Sequence, residues 1–467
     1  MARVHAFADD ALGDLDAVGL AEALAARRVS IPEVVEAAIA RTQQVDPELN
    51  AVAAECFDRA RAEAADPRGG FFAGVPTYVK DNSDLAGLPT MQGADAFEPR
   101  PAKRDGDFAR MFLATGVIPL GKTQLSEYGF SAVAEHPRLG AVRSPWSTTH
   151  TAGASSSGSA ALVAAGAVPL AHANDGGGSI RIPAAVNGLV GLKPTRGRLA
   201  QDAMMRKMPV RVVADGVVTR SVRDTAAFLR EAEKVYRDLL LAPVGDITGP
   251  ARARRRVAVV TDGIGVQASP EVDKLTRQTA DLVESLGHHV EWIEQPVPTS
   301  FKDDFLLYWG LLSSTIMATG RLEHGSSWDK SKHDPLTLGL DRHCRRNLRH
   351  VPGAIRRLRA SSQISEELAA SYDVVLTPTL ACETPEVGWL DPMQDYDLVL
   401  DRLLTWVAYT PLQNATGAPA ISLPLATTDA GLPHGMMFAA AQGGEALLLE
   451  LAYELEEASP WPLLRDA

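Results

Sequence analysis

The sequence predicts an α/β fold built around a mixed or parallel β-sheet. Three observations carry that expectation. From Phe71 onward, short apolar runs of strand length alternate with segments of helical periodicity. Residues 256–293 contain a complete β-α-β unit, with strands at Arg256–Val260 and His289–Ile293 on either side of a helix at Pro270–Leu286. No internal repeat and no Pro/Ser-rich linker interrupts the 467 residues, so the chain reads as a single domain over 1–467.

The elements follow in order. The N-terminal part, about 15–65, opens with two amphipathic helices. The first, Asp16–Arg28, carries Val18, Leu20 and Leu24. Ser30-Ile31-Pro32-Glu33 reads as a capping box with proline in the first turn, starting a second helix toward Val45. A core over about 70–240 comes next, with GVPTYVK at 74–80 as a strand, a helix at Phe108–Ala114 and VIPL at 117–120 as a strand. Ala160–Ala165 then reads as helix, Ala167–Leu170 as strand, Ile180–Val186 as helix and Val222–Tyr236 as a further helix. Beyond the β-α-β unit, residues 299–368 are helical and richer in aromatic residues, an excursion placed to cover a substrate cleft. Strands at Val374–Leu376 and Ala420–Leu423 and a helix at Glu445–Glu457 close the chain.

Composition narrows the function classes. With 46% hydrophobic and 22% charged residues the chain matches a soluble globular protein. Its 46 basic against 58 acidic side chains, a formal charge of −12, argue against nucleic-acid binding, which needs clustered Lys and Arg. The short basic runs, Arg252, Arg254, Arg255 and Arg256, and Arg345 to Arg349, read as solvated surface. Cys56, Cys344 and Cys382 share no ligand spacing, which points away from a zinc framework and toward a reducing compartment. The longest apolar run, Leu162–Ala173, is too short to span a bilayer, and the N-terminus lacks a signal-peptide core. A cytoplasmic protein with no membrane partner is expected.

One motif misleads. Gly116–Thr123 satisfies the GxxxxGK[ST] pattern of a phosphate loop, but its four intervening residues are Val, Ile, Pro and Leu and a helix precedes it. Such residues form a buried strand, not a phosphate cradle. Two other stretches carry more chemistry. Residues 151–159 read Thr-Ala-Gly-Ala-Ser-Ser-Ser-Gly-Ser, and residues 173–183 read Ala-Asn-Asp-Gly-Gly-Gly-Ser-Ile-Arg-Ile-Pro. Three glycines before Ser179 can aim backbone N–H groups at one point, as stabilisation of an oxyanion requires. A serine nucleophile needs a base. His172 stands seven residues before Ser179, but reads as a packed residue ending a strand. Lys80, at the end of an apolar strand, is the other unusual polar group; desolvation there would lower its pKa toward neutrality.

These pieces form a recognisable set. GVP-x-x-VKD at 74–81, GKT at 121–123, GASSSGSAA at 153–161 and DGGGSIRIPAA at 175–185 together resemble the amidase signature family. GLVGLKPTRGR at 188–198 and TG-x-PAISLPL at 416–425 extend the resemblance over roughly 15–240 and 370–460. Within the family the chain looks closest to actinobacterial amidases and is similar to the hydrolases that open cyclic 6-aminohexanoate dimers.

The resemblance implies the amidase signature fold, a large mixed central sheet covered by helices on both faces. It implies an amidase, acting on an aliphatic, aryl or cyclic amide, or on an ester or carbamate, with no cofactor or metal. By motif position Lys80 is the base, Ser155 the bridging serine after a cis peptide, and Ser179 the acylated nucleophile. Gly176, Gly177 and Gly178 fall where the family builds its oxyanion hole, with Asp175, Arg181 and Ser156 in support. The substrate is expected to be largely apolar or aromatic, bounded by Tyr308, Trp309, Met204 and Met205. A homodimer is compatible with this reading. The alternatives are a catalytically silent binding protein and the family's glutamine-dependent amidotransferase subunit. Two departures from the family pattern stand out. The turn reads Gly153-Ala154-Ser155-Ser156-Ser157-Gly158 where Gly-Gly-Ser-Ser-Gly-Gly is common, and Ser144-Pro145-Trp146 replaces Asn-Pro-Trp.

Overall fold

Eight strands with buried apolar side chains, among them Val257, Leu376, Ile421 and Phe438, assemble the central sheet. The computed structural model describes residues 3–251 and 253–466, so Arg252 lies outside the described residues. Across the sheet the strands run His289–Trp292, Arg256–Val259, Val374–Pro378, Pro433–Ala439, Ala420–Thr427, Val190–Lys193, Ala214–Thr219 and Leu170–Asp175. The first two junctions are parallel and the others antiparallel, so the sheet is mixed. The parallel pair at one end is the β-α-β unit read from sequence, joined by the helix Pro270–Ser285. Helices flank the sheet, including Ser157–Ala164, Val222–Val235 and Glu445–Ala458.

A smaller sheet of Val52–Glu55, Ile118–Thr123 and Pro76–Lys80 meets the outer strand Leu170–Asp175. Thr77 Oγ1 donates to Leu170 O at 2.9 Å, and the Lys80 N–H donates to His172 Nδ1 at 3.2 Å. The stretch with the phosphate-loop pattern is therefore a buried strand after the helix Asp107–Leu113. Its Lys122 is fully buried, lies 2.6 Å from Asp81 and donates to Pro89 O and Thr90 Oγ1.

Local signals explain the helix starts. Ser30 and Glu33 make both bonds of the capping box, and Asp16 accepts from the Gly19 N–H. The second helix runs past Val45 to Leu49 and ends where Asn50 turns left-handed at φ 54°. One strand is misplaced by the sequence reading. The strand expected at Ala167–Leu170 instead spans Leu170–Asp175, pairing from Leu170 opposite Thr219 to Asp175 opposite Ala214. Pro169 has no N–H for a ladder, so pairing begins after it. The polar His172, Asn174 and Asp175 disguised the strand. Residues 299–368 are helical as expected, in Ser300–His324, Pro335–Arg346, Val351–Ala360 and the start of Ser362–Ser371. Among the described residues no helix is long and apolar enough to cross a membrane.

Candidate active site

Lys80 ends its strand with a fully buried side chain. Its Nζ lies 2.7 Å from Ser155 Oγ, 2.9 Å from Ser156 Oγ and 2.7 Å from Asn174 Oδ1. Burial pushes the Lys80 amine down to about 7, against the smaller upward pull of Asp175 and Asp215. Among the described residues no carboxylate bonds the amine, so nothing close by offsets the burial that lowers it. His172 sits mid-strand rather than at a strand end, stacked 4.2 Å from Phe108. Its Nδ1 accepts the Lys80 amide, so Nε2 carries the hydrogen and faces Asp215 Oδ1 at 3.3 Å. Both ring nitrogens are engaged, which leaves neither free for a serine.

Ser155 and Ser156 come from a turn between the strand Ser147–Thr151 and the helix Ser157–Ala164. The Ala154–Ser155 peptide is cis and Gly153 has φ 65°. Ser157, one of the departures from the family pattern, donates from Oγ to Gly153 O and ties the turn to the helix start. Ser144 likewise keeps a bond, from its Oγ to Asn187 Oδ1 at 3.3 Å.

The glycine loop is held from below by a buried ion pair. Arg181 Nε and Nη2 donate to Asp175 Oδ2 and Oδ1 at 2.8 and 2.9 Å, with both residues fully buried. Burial pushes Asp175 up, but the charge and N–H bonds of Arg181 outweigh it, with help from Asn414, and hold the carboxyl at about 2. Arg181 also reaches the helix Pro411–Thr416, donating to Gln413 Oε1 at 3.0 Å and Asn414 Oδ1 at 2.7 Å. Thr410 Oγ1 donates to Gly177 O at 2.6 Å.

One oxyanion-hole expectation needs correcting. The Gly178 N–H is spent on Asp175 Oδ1 at 2.7 Å, whereas those of Gly176, Gly177 and Ser179 have no partner among the described residues. Gly178 is required for another reason. At φ 137°, a Cβ there would collide with Thr410 Oγ1.

Ser179 opens onto a cleft of about 580 Å³. It is lined by Gly177, Ala154 and Gly129–Ala132 together with Phe305, Leu306, Trp309, Leu340, Leu400, Leu403, Leu404 and Val407. No charged side chain is among its lining residues. No hydrogen bond joins Ser155 to Ser179 in this structure; such contacts commonly tighten only with substrate bound. A second cavity of similar size, lined by Val260, Leu368, Tyr409 and Ala439, contains none of these serines.

Of the four expected substrate contacts, only Trp309 lines the cleft. Tyr308 turns the other way, as neighbouring helix positions must; it is buried, and its hydroxyl donates to Val210 O at 2.6 Å. Met204 and Met205 lie on the short helix Ala203–Arg206, Met204 exposed, and neither lines the cleft. Sequence reasoning missed Asn174, Asn82, Thr410, Asn414 and the leucines of the helix Tyr396–Trp406. Phe305 was findable: it lies four residues before Trp309, on the same helical face.

Comparison with known proteins identifies the family. The profile of the amidase family matches residues 33–449. The amidase-family protein AmiC of Mycobacterium leprae is 61% identical over 462 residues, covering 99% of this chain and 98% of its own. A 6-aminohexanoate-cyclic-dimer hydrolase of a Pseudomonas species is 33% identical over 479 residues, covering 96% and 95%. The crystal structure of a bacterial aryl acylamidase of the amidase signature family superposes with a TM-score of 0.84 at 26% identity, covering 96% of each chain.

Proposed function

This chain belongs to the amidase signature family and is an amidase, and on that premise we propose that it works by acyl transfer through Ser179. Ser179 Oγ attacks the amide carbonyl carbon, and its proton passes through Ser155 to the neutral amine of Lys80. The carbonyl oxygen becomes an oxyanion, held by the free N–H groups of Gly176, Gly177 and Ser179. Collapse breaks the C–N bond; the departing nitrogen takes the proton back along the same relay and leaves as amine or ammonia. Water, deprotonated by the same base, then hydrolyses the acyl ester to the acid and frees Ser179. The observation that carries this reading is a fully buried Lys80 amine 2.7 Å from Ser155 Oγ with no carboxylate bonded to it among the described residues.

The cleft supports an uncharged, apolar substrate. Its lining offers contact area to aryl, long aliphatic or cyclic amides, and a cyclic diamide such as the one named for the Pseudomonas relative carries no charge. The same lining disfavours the amidotransferase reading, because glutamine would bring an ammonium and a carboxylate into a cleft with no charge to meet either. Three free cysteines fit a reducing compartment such as the cytoplasm.

A test uses an anilide and a long-chain amide, with mass spectrometry to trap the acyl-enzyme. Ser179→Ala is expected to abolish acylation, and Ser155→Ala to lower it by about 10²–10⁴-fold, the usual worth of a positioned proton transfer. His172→Ala is the control. If it cost as much acylation as Lys80→Ala with the fold intact, a histidine base would replace this scheme.

A further inference from the structure

We infer that Asn174, pinned by Asn82, is a positioning residue that turns the lone pair of Lys80 toward Ser155. The inference rests on the triad reading above. A neutral primary amine has two N–H groups and one lone pair; three side-chain oxygens lie within 2.9 Å of this one, and the Asn174 carbonyl oxygen is farther off at 3.4 Å, where it takes the Ser156 hydroxyl hydrogen. Asn174 Oδ1, at 2.7 Å, can only accept, so it takes one N–H. Ser156 Oγ, at 2.9 Å, directs its own hydrogen to Asn174 O at 3.3 Å and so can accept the second. The lone pair is left for Ser155 Oγ at 2.7 Å, which must donate. That is the direction in which a relay has to run.

The amide orientation of Asn174 decides this outcome. Asn174 Nδ2 donates to Asn82 Oδ1 at 3.0 Å, and Asn82 Nδ2 donates back to Asn174 Oδ1 at 3.1 Å. The reciprocal pair fixes the amide plane, with Oδ1 on Lys80, and a flip of Asn174 alone would set oxygen against oxygen and NH₂ against NH₂ across the pair. A flipped Asn174 would present its NH₂ to Nζ, occupy the lone pair and silence the base. The amide is also uncharged, which matters because acids lie on several sides. Asp175 on the same strand is turned to Arg181, Asp81 beside Lys80 is tied to Lys122, and Asp215 on the neighbouring strand faces His172. Asp202 lies beyond His172, which is itself bonded at both nitrogens. None of these acids bonds Nζ, so residue 174 sets what the amine touches.

The test is the pH dependence of kcat and KM for an anilide, with circular dichroism to confirm the fold. Asn174→Asp puts a carboxylate in contact with the amine and should move the acidic limb of kcat upward by about 1–3 pH units. Asn174→Ala removes an acceptor that favours the ammonium form, so its limb should move downward, with a lower plateau kcat and unchanged KM. Opposite shifts are the signature; a merely structural role would lower activity without moving either limb. Unmoved limbs, or shifts of the same sign, overturn the inference. Should Asn174→Asp fail to fold, the direction of the Asn174→Ala limb decides alone. Lys80→Ala run in parallel separates the two readings. If it retains both turnover and the acidic limb, the triad itself falls; if it loses turnover while the Asn174 limbs stay put, only the role of Asn174 falls.

Discussion

Replacing Lys80 with methionine offers a measurement of its protonation that does not depend on catalysis. The amine has an ordinary value of 10.5 and is pushed to about 7 by burial in the fold. Between those values the unfolded chain binds the proton and the folded chain does not, so wild-type stability rises with pH across that window. Below about 7 the lysine is charged in both states, and the full desolvation penalty applies. From pH 6 to pH 9 the two values imply that wild type gains about 2–3 kcal/mol relative to Lys80→Met, by proton linkage at about 1.4 kcal/mol per unit. Most other titrating groups are common to both proteins and largely cancel in the difference. Urea denaturation of the pair at several pH values reads it directly. A difference that stays flat from pH 6 to pH 9 would refute a neutral Lys80, and with it the base in the proposed mechanism.

Three further outcomes are expected. Arg181→Leu leaves Asp175 buried without its counter-charge and should destabilise the protein by about 3–5 kcal/mol, read by denaturation. Trp309→Ala removes an aromatic wall of the cleft; kcat/KM for an anilide should fall roughly tenfold or more while that for acetamide barely changes, and an equal loss for both would contradict the apolar cleft. Glu127 and Asp334 face one another in a buried cluster, and burial pushes Glu127 up to about 8 and Asp334 to about 7. Raised carboxyls weaken the fold as pH climbs from the ordinary carboxylate range toward 8, so Glu127→Gln should gain on wild type between pH 5 and 8; a constant difference in thermal midpoint would count against it.

The fold was largely legible because its signals are local. The Ser30–Glu33 capping box and the apolar runs at 76–80 and 118–123 each declare themselves within a few residues, and the β-α-β unit at 256–293 within one continuous stretch. The strand at Leu170–Asp175 did not, because half its side chains serve the candidate site rather than the core, and a strand with His172, Asn174 and Asp175 breaks the apolar pattern. Within the candidate site, Lys80, Ser155 and Ser179 were nameable through motif resemblance alone. Asn82 and Thr410 were not, since each acts across a separation of 92 or 233 residues that no local pattern encodes. Tyr308 and Trp309 show a narrower limit. A pair of adjacent aromatics announces bulk, but only the phase of the helix says which one meets the cleft.

The tie between the glycine loop and the helix Pro411–Thr416 has a consequence for how the molecule is made. Asn414 Nδ2 donates to Asp175 O at 2.8 Å across 239 residues of chain. A ribosome adding about 5–20 residues per second needs roughly 10–50 s to travel from one partner to the other. Throughout that interval the serine-bearing loop has emerged without its clamp. The newborn polypeptide therefore carries its candidate reactive segment unassembled until nearly the whole message is read, and on the proposed mechanism prematurely terminated products should be inert rather than promiscuous hydrolases.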